Sequence, residues 1–218
     1  MKNLIILILA MFAWSNANAQ WTLLNPAPTS NDLYSVYFPD VNTGYVVGER
    51  GTILKTTDGG TLWTQLNSGT VKNLNSVSFT DLNTGYIVGD SGCILKTING
   101  GSTWTLQSSG TSFSLRSVHF PVDGIGYAVG DSMMLSTKNG GVTWTGKSLA
   151  DGLLDFRLNF VYFVNADTGF ATASQGWVYR GMVYKTTNGG LDWTICFIQG
   201  SGEMSYLGSM SFTDANTG

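Results

Sequence analysis

YSVYFPDVNTGYVVGERGTILKTTDGGTLWTQLNSGT (residues 34–70) returns 41 residues later as NSVSFTDLNTGYIVGDSGCILKTINGGSTWTLQSSGT (residues 75–111). A third copy, RSVHFPVDGIGYAVGDSMMLSTKNGGVTWTGKS, begins at Arg116. A fourth begins at Asn159 with insertions, and GSMSFTDANTG opens a fifth at Gly208. Tyr45, Tyr86 and Tyr127 fall at intervals of 41 and 41 residues, and Phe170 follows after 43. A self-similar period of this length marks a repeat architecture, in which each unit buries its faces against its neighbours.

Each copy reads as four short strands. Strand A surrounds Val36, Tyr37 and Phe38, with apolar side chains at alternate positions. A turn at residues 40–44 leads to strand B (45–48), a tight turn at 49–51 to strand C (52–56), and a further turn to strand D from Trp63. Four antiparallel strands every 40 or so residues predict an all-β fold, a β-propeller of four-stranded blades. The predicted blades span residues 34–74, 75–115, 116–158 and 159–207, with residues 208–218 opening another. Trp21-Thr22-Leu23-Leu24 matches the D strands, so residues 21–33 read as strand D of a closing blade. About four and a fraction blades are then present, and the expectation is a fragment of a ring of six to eight.

The C–D turn has a chemical explanation. It recurs as TTDGGTLW, TINGGSTW, TKNGGVTW and TTNGGLDW, an Asp-box built on Thr56, Asp58, Gly60 and Trp63. Its later copies carry Asn99, Gly101 and Trp104; Asn139, Gly141 and Trp144; and Asn188, Gly190 and Trp193. Asp or Asn can bond the backbone two residues on, and the glycines supply positive φ. The Trp puts a large apolar surface between sheets. Three copies replace Asp58 by Asn and so discard the charge, which makes the box structural rather than metal-binding or catalytic.

These repeats resemble the Asp-box (BNR-like) repeats of sialidases, some glycoside hydrolases and sortilin-type receptors. The DxNTGYxVG stretch followed by LKTTxGGxxW is most similar to the photosystem II stability and assembly factor family of propellers. That resemblance covers essentially residues 21–218. It implies a propeller that assists a protein complex, although no photosynthetic context is visible. Similar repeats occur in exported bacterial proteins that carry a C-terminal sorting domain for type IX secretion, and such a domain would be missing from this chain.

Residues 1–19 stand outside the fold. Lys2, an apolar run at 4–12 and Ala17-Asn18-Ala19 read as a signal peptide cleaved before Gln20, with the propeller on residues 20–218. The run is too short to span a bilayer, so the expectation is an exported protein without membrane insertion. The formal charge is −3 with only 11% charged residues, and no basic stripe is present to neutralise phosphates. Nucleic acid is therefore an unexpected partner. Cys93 and Cys196 occupy non-equivalent positions and read as two buried free thiols in preference to a disulfide.

Candidate binding residues gather on the face carrying the B–C and D–A connections. Copy four lengthens its B–C hairpin at residues 174–181, adding Trp177, Tyr179 and Arg180. Its approach from Trp144 to Val161 is also long and holds Asp151, Asp155, Phe156 and Arg157. Aromatics and Arg dominate binding hot spots, so this is a candidate site for a protein or glycan, set against a padded loop covering its own apolar residues. Glu49, Asp90 and Asp131 end strand B in successive copies. They could attract a cation, a basic partner or a polyhydroxylated ligand, but an ordinary hairpin turn is the preferred reading.

Catalysis finds little support. Arg50, Arg116, Arg157 and Arg180 share no repeat position, so no arginine triad for a sialidase is indicated. Glu49 and Glu203 are the sole glutamates. Asp90 with Asp131, or Asp151 with Asp155, are imaginable glycosidase pairs that nothing singles out. His119, on strand A of copy three, reads as packed or channel-lining rather than as a general base. One His and two distant Cys make no zinc site, and no cofactor is indicated. The expectation is a non-enzymatic exported scaffold for protein or glycan binding. The alternative is a carbohydrate-active hydrolase with catalytic residues partly outside this segment.

Overall fold

A computed structural model describes residues 28–149, 156–175, 180–198 (the backbone alone at Arg180), 207–212 and 217–218. The predicted signal peptide, and the predicted lone D strand at 21–33 as far as Ala27, lie outside these residues. Among the described residues sixteen strands form four antiparallel four-stranded sheets. The first holds β1 (Leu33–Tyr37), β2 (Gly44–Gly48), β3 (Ile53–Thr56) and β4 (Thr64–Leu66). The second holds β5 (Leu74–Phe79), β6 (Gly85–Gly89), β7 (Ile94–Thr97) and β8 (Thr105–Gln107). The third comprises β9 (Leu115–Val122), β10 (Ile125–Gly130), β11 (Met133–Thr137) and β12 (Thr145–Lys147). The fourth comprises β13 (Phe156–Phe163), β14 (Gly169–Gln175), β15 (Arg180–Thr186) and β16 (Thr194–Ile198). The all-β propeller expected from the repeat is the observed architecture.

The blades are stacked face to face, and the core lies between them. Each apolar cluster draws on two consecutive blades: Tyr45, Val47 and Ile53 with Leu74, Val77 and Phe79; then Tyr86, Val88 and Ile94 with Leu115, Val118 and Phe120. The third joins Tyr127, Val129 and Met134 to Phe156, Leu158, Val161 and Phe163. The A strands β1, β5, β9 and β13 pack successively against one another and form the hub. Leu33, Val36 and Phe38 are exposed where their equivalents Leu74, Val77 and Phe79 are buried, because only the latter lie against a preceding blade.

One contact repeats at every junction. The strand-B tyrosine stacks on the phenylalanine ending strand A of the next blade: Tyr45 on Phe79 at 4.1 Å, Tyr86 on Phe120 at 3.7 Å and Tyr127 on Phe163 at 3.8 Å. Phe170 does the same with Phe212 at 4.2 Å. Phe79, Phe120 and Phe163 also meet their own blade's box tryptophan edge-on, as Phe120 does with Trp144 at 6.0 Å. The tyrosine hydroxyls then donate to the next blade's Asp-box turn, at Gly100 O (2.9 Å), Gly140 O (3.0 Å) and Gly189 O (2.8 Å). Burial, with a smaller effect of nearby carboxylates, pushes the Tyr45 and Tyr86 phenols up to about 12, so they remain protonated donors. Lys55 and Lys96 add a second donor to the same carbonyls, each at 2.7 Å.

Close approach explains the glycine before each tyrosine. A Cβ at Gly126 would lie 2.3 Å from the Phe120 ring, and one at Gly85 2.5 Å from Phe79. The Phe ring can lie flat over the neighbouring strand only where no side chain intervenes.

The Asp-box is a closed hydrogen-bond motif. Thr56 Oγ1 donates to Asp58 Oδ1 (2.7 Å) and accepts Gly60 N–H (3.0 Å), while Leu62 N–H donates to Asp58 Oδ1 (2.9 Å). Thr97 with Asn99, Thr137 with Asn139 and Thr186 with Asn188 make the same bonds. The Asx oxygen thus reaches the backbone four residues on, not two as the sequence suggested. The two-residue bond occurs instead in the A–B turns, where Asp40 accepts Asn42 N–H at 2.6 Å. Gly60 sits at φ 94°, a backbone region open to glycine. Trp63 and Trp193 donate Nε1 to Gly60 O and Gly190 O, whereas Trp104 and Trp144 find no partner among the described residues.

Two expectations need correction. Cys93 is buried, but Cys196 is exposed on β16, the outermost strand of its blade, and neither is paired. The long flanks of the copy-four insertions are strand rather than loop. Ser174 pairs with Arg157 and with Gly181, and Gln175 with Phe156 and with Arg180, so β13, β14 and β15 are prolonged together.

His119 lies on β9, half-buried, with its ring 4.8 Å from that of Tyr162 and its Nδ1 accepting Phe163 N–H at 3.2 Å. It joins adjacent hub strands, in line with a packed role. Desolvation holds its pKa down at about 4 against an ordinary 6.5.

Two outcomes test this account. Tyr86→Phe keeps the stack on Phe120 but removes one inter-blade hydrogen bond, and should cost about 1 kcal/mol in urea unfolding. Since unfolded His119 takes up a proton near 6.5 and the folded ring only near 4, stability should be full above about pH 6.5 and decline as pH falls toward 4. Unfolding midpoints at about pH 7 and about pH 5 should therefore differ for the native chain and converge for His119→Ser, which copies Ser78 of the preceding blade.

Candidate functional site

The mouth of the hub on the B–C/D–A face is built from two columns of side chains. One comprises equivalent residues of the A strands, Tyr34, Asn75, Arg116 and Asn159. The other follows or ends strand B: Glu49, Asp90, Asp131 and Ser174. In every blade the partners stand 15 residues apart and touch. Tyr34 OH donates to Glu49 Oε1 (3.3 Å), Asn75 Nδ2 to Asp90 Oδ1 (3.1 Å) and Asn159 Nδ2 to Ser174 Oγ (3.1 Å). Arg116 donates Nε and Nη2 to one oxygen, Asp131 Oδ1, at 3.1 and 3.0 Å. With both side chains about one-third exposed, this ion pair contributes at most about 1 kcal/mol.

Local backbone chemistry sets these positions. Glu49–Gly51 and Asp90–Gly92 are single 3-10 turns, with Arg50 and Ser91 at φ 52° and 53°. Ser132 is the counterpart after Asp131, at φ 58°. The carboxylates are therefore turn residues, as preferred from the sequence, and their side chains also face strand A. Desolvation, followed by the charge and hydrogen bond of Glu49 and the charges of Asp32 and Asp90, raises the Tyr34 phenol pKa.

A cavity of about 380 Å³ opens among Tyr34, Asn73, Asn75, Asp90, Arg116 and Asn159, one or more residues from each of the four blades. Asn159 forms part of it while only 6% exposed. Its Nδ2 also donates to Leu207 O (3.2 Å), and its Oδ1 has no hydrogen-bond partner among the described residues. Such an orphaned buried acceptor costs about 1–3 kcal/mol.

The other candidates fall elsewhere. Arg157 is exposed on β13, where its backbone bridges to Asp131, and Phe156 is buried in the core between the third and fourth blades. Ser132 N–H and Oγ both bond Phe156 O at 3.0 Å. This part of the long D–A connection therefore covers its own apolar residue. Trp177, Tyr179, Asp151, Asp155 and Glu203 lie outside the described residues, and Arg180 contributes its backbone to β15. Arg50, Arg116 and Arg157 sit at non-equivalent places. Among the described residues no three His, Cys, Asp or Glu gather as a metal-binding group would.

The sequence did not point to Asn75, Arg116 and Asn159 as a group. The signal available was their constant 15-residue distance from Asp90, Asp131 and Ser174.

Solved structures share this architecture. YCF48 from Cyanidioschyzon merolae superposes with a TM-score of 0.62 at 22% identity, covering 78% of this chain and 57% of that one. The chain thus spans less than two thirds of that relative. YCF48 bound to D1 peptide gives 0.51 at 17% identity over 78% of this chain and 83% of the other. An ancestral GH74 enzyme gives 0.61 at 22%, over 79% of this chain but 25% of the enzyme. At these identities the likeness is one of fold. No curated protein matches the sequence. The family described as photosynthesis system II assembly factor YCF48 matches at residues 14–106 and 61–211, which together cover most of the length. The repeat, the blades and this match place the chain in the YCF48 family of BNR-repeat propellers.

Proposed function

We propose that this chain is an exported, non-enzymatic propeller that binds a protein partner at the hub mouth of its B–C/D–A face. The observation that carries the reading is the 380 Å³ polar cavity there, to which all four blades contribute. A concave site with a few convergent polar groups is where a protein ligand is held and oriented. The columns around it vary from blade to blade while the structural contacts repeat, as a recognition surface on a fixed scaffold would.

The YCF48 structure bound to a D1 peptide supplies a precedent for peptide binding within the family. The photosystem of the family description is not carried over, since nothing in this chain specifies that partner. Export rests on the leader-like residues 1–19. Trp177, Tyr179 and Arg180, which follow β14 in the sequence, are proposed to extend the contact.

A pool of extended peptides displayed on beads should retain the chain, with capture weakened about tenfold by Asn75→Ala combined with Asp90→Ala. Trp177→Ala should weaken it less, and Val41→Ser on the opposite face should leave it unchanged. Turnover of a glycan, abolished by one Asp substitution, would instead establish a carbohydrate-active hydrolase.

A further inference from the structure

We propose that the hub-mouth cavity is a socket for the guanidinium or ammonium group of a basic side chain on an extended segment of the protein partner. This rests on the protein-binding reading above and assigns its chemistry.

Donors and acceptors decide the matter. Asn75 Nδ2 has two protons, spent on Asp90 Oδ1 (3.1 Å) and Leu115 O (2.8 Å). Asn159 Nδ2 is spent likewise on Ser174 Oγ (3.1 Å) and Leu207 O (3.2 Å). A peptide carbonyl can only accept, so Leu115 and Leu207 fix which end of each amide is nitrogen. Both amides therefore direct their donors toward the blade framework and retain their oxygens for other partners. The Asn159 oxygen is buried and has no partner among the described residues, on a residue that lines the cavity. Asp90 adds a second carboxylate oxygen beyond the one that Asn75 occupies.

Arg116 does not reverse this polarity. Its Nε and Nη2 both serve Asp131, which makes the pair neutral as a unit. Asp90 then sets the sign of the cavity, with Glu49 at the rim beside Tyr34. The exposed Tyr34 ring offers a π face of the kind cations favour.

Other ligands fit less well. A carboxylate would face the charge of Asp90, and the Arg116 charge that could offset it is paired with Asp131. A sugar hydroxyl is neutral and gains nothing from the charge of Asp90. A guanidinium or ammonium only donates and is cationic, which matches the open oxygens of Asn75 and Asn159 and the carboxylate of Asp90.

The test titrates the purified 218-residue chain with end-blocked Gly-Ala-Arg-Ala-Gly, its lysine, citrulline and glutamate counterparts, and cellotetraose, following binding by calorimetry. The arginine and lysine peptides should bind at least about tenfold more tightly than the citrulline peptide, which has the same shape without the charge. Asp90→Asn keeps an oxygen for Asn75 and should reduce that preference to near unity with the thermal midpoint unchanged. Equal binding of arginine and citrulline peptides, or preference for glutamate, overturns the socket and leaves the protein-binding reading standing. Binding of cellotetraose alone, or of no peptide of any charge, removes both.

Discussion

The structure depends on an aromatic ring laid across each blade junction. A single four-stranded sheet of this size cannot bury its two faces, so stability must come from the contact between sheets. The strand-B tyrosine meets that need in two ways. Its ring stacks on the next blade's phenylalanine at about 4 Å, a pair contributing about 0.5–1.5 kcal/mol beyond area burial. Its hydroxyl enters the next blade's Asp-box turn, so the side chain that packs the junction also sets its register. Where the fourth copy has Phe170, the stack persists on Phe212 and the hydroxyl bond is absent.

The Asp-box is best understood from this junction. Its Thr–Asx–Gly–Gly bonds close the turn within one blade, and in doing so they present a glycine carbonyl to the preceding blade. Tyr45 and Lys55 converge on Gly100 O, and Tyr86 and Lys96 on Gly140 O. An Asn serves as well as an Asp because the turn needs one side-chain oxygen, and the amide nitrogen adds a bond to Thr103 or Thr143. The box is therefore a connector between blades, and this leaves the hub-mouth face free to differ.

The parts legible in the sequence were those encoded by local chemistry. Alternating apolar residues gave the strands, and Thr, Asx and paired glycines gave the box turn. Contacts between copies were harder to see. Tyr45 recurs visibly, but its period does not reveal that its hydroxyl ends 55 residues away at Gly100. Gly85 and Gly126 read as turn glycines, whereas their lack of a Cβ serves the ring of Phe79 or Phe120 lying over them. The copy-four inserts read as loops because they break the period. Among the described residues they lengthen β13, β14 and β15 together, and the added residues pair along the β13–β14 and β14–β15 ladders. Of the candidate site, the carboxylates Asp90 and Asp131 and the face were legible. The Asn and Arg partners were not, because they belong to strand starts that looked merely structural.

The same geometry explains why the mouth can specialise. The Tyr–Phe stack lies toward the A–B/C–D side of each blade, where the Asp-box turn closes. The column of Tyr34, Asn75, Arg116 and Asn159 stands at the opposite end of the A strands. Substitution there disturbs a side-chain pair and, at Asn75 and Asn159, one bond to the backbone of the next copy, but no aromatic junction. That separation permits Tyr–Glu, Asn–Asp, Arg–Asp and Asn–Ser pairs to occupy one repeated position in four blades of a single chain. It also allows an imperfect solution to survive. The orphaned oxygen of Asn159 is a local cost of about 1–3 kcal/mol, borne by blades whose junctions supply stability independently. A scaffold that concentrates its cohesion at one end of the blade can keep unsatisfied polar groups at the other, and those groups are what a ligand can recognise.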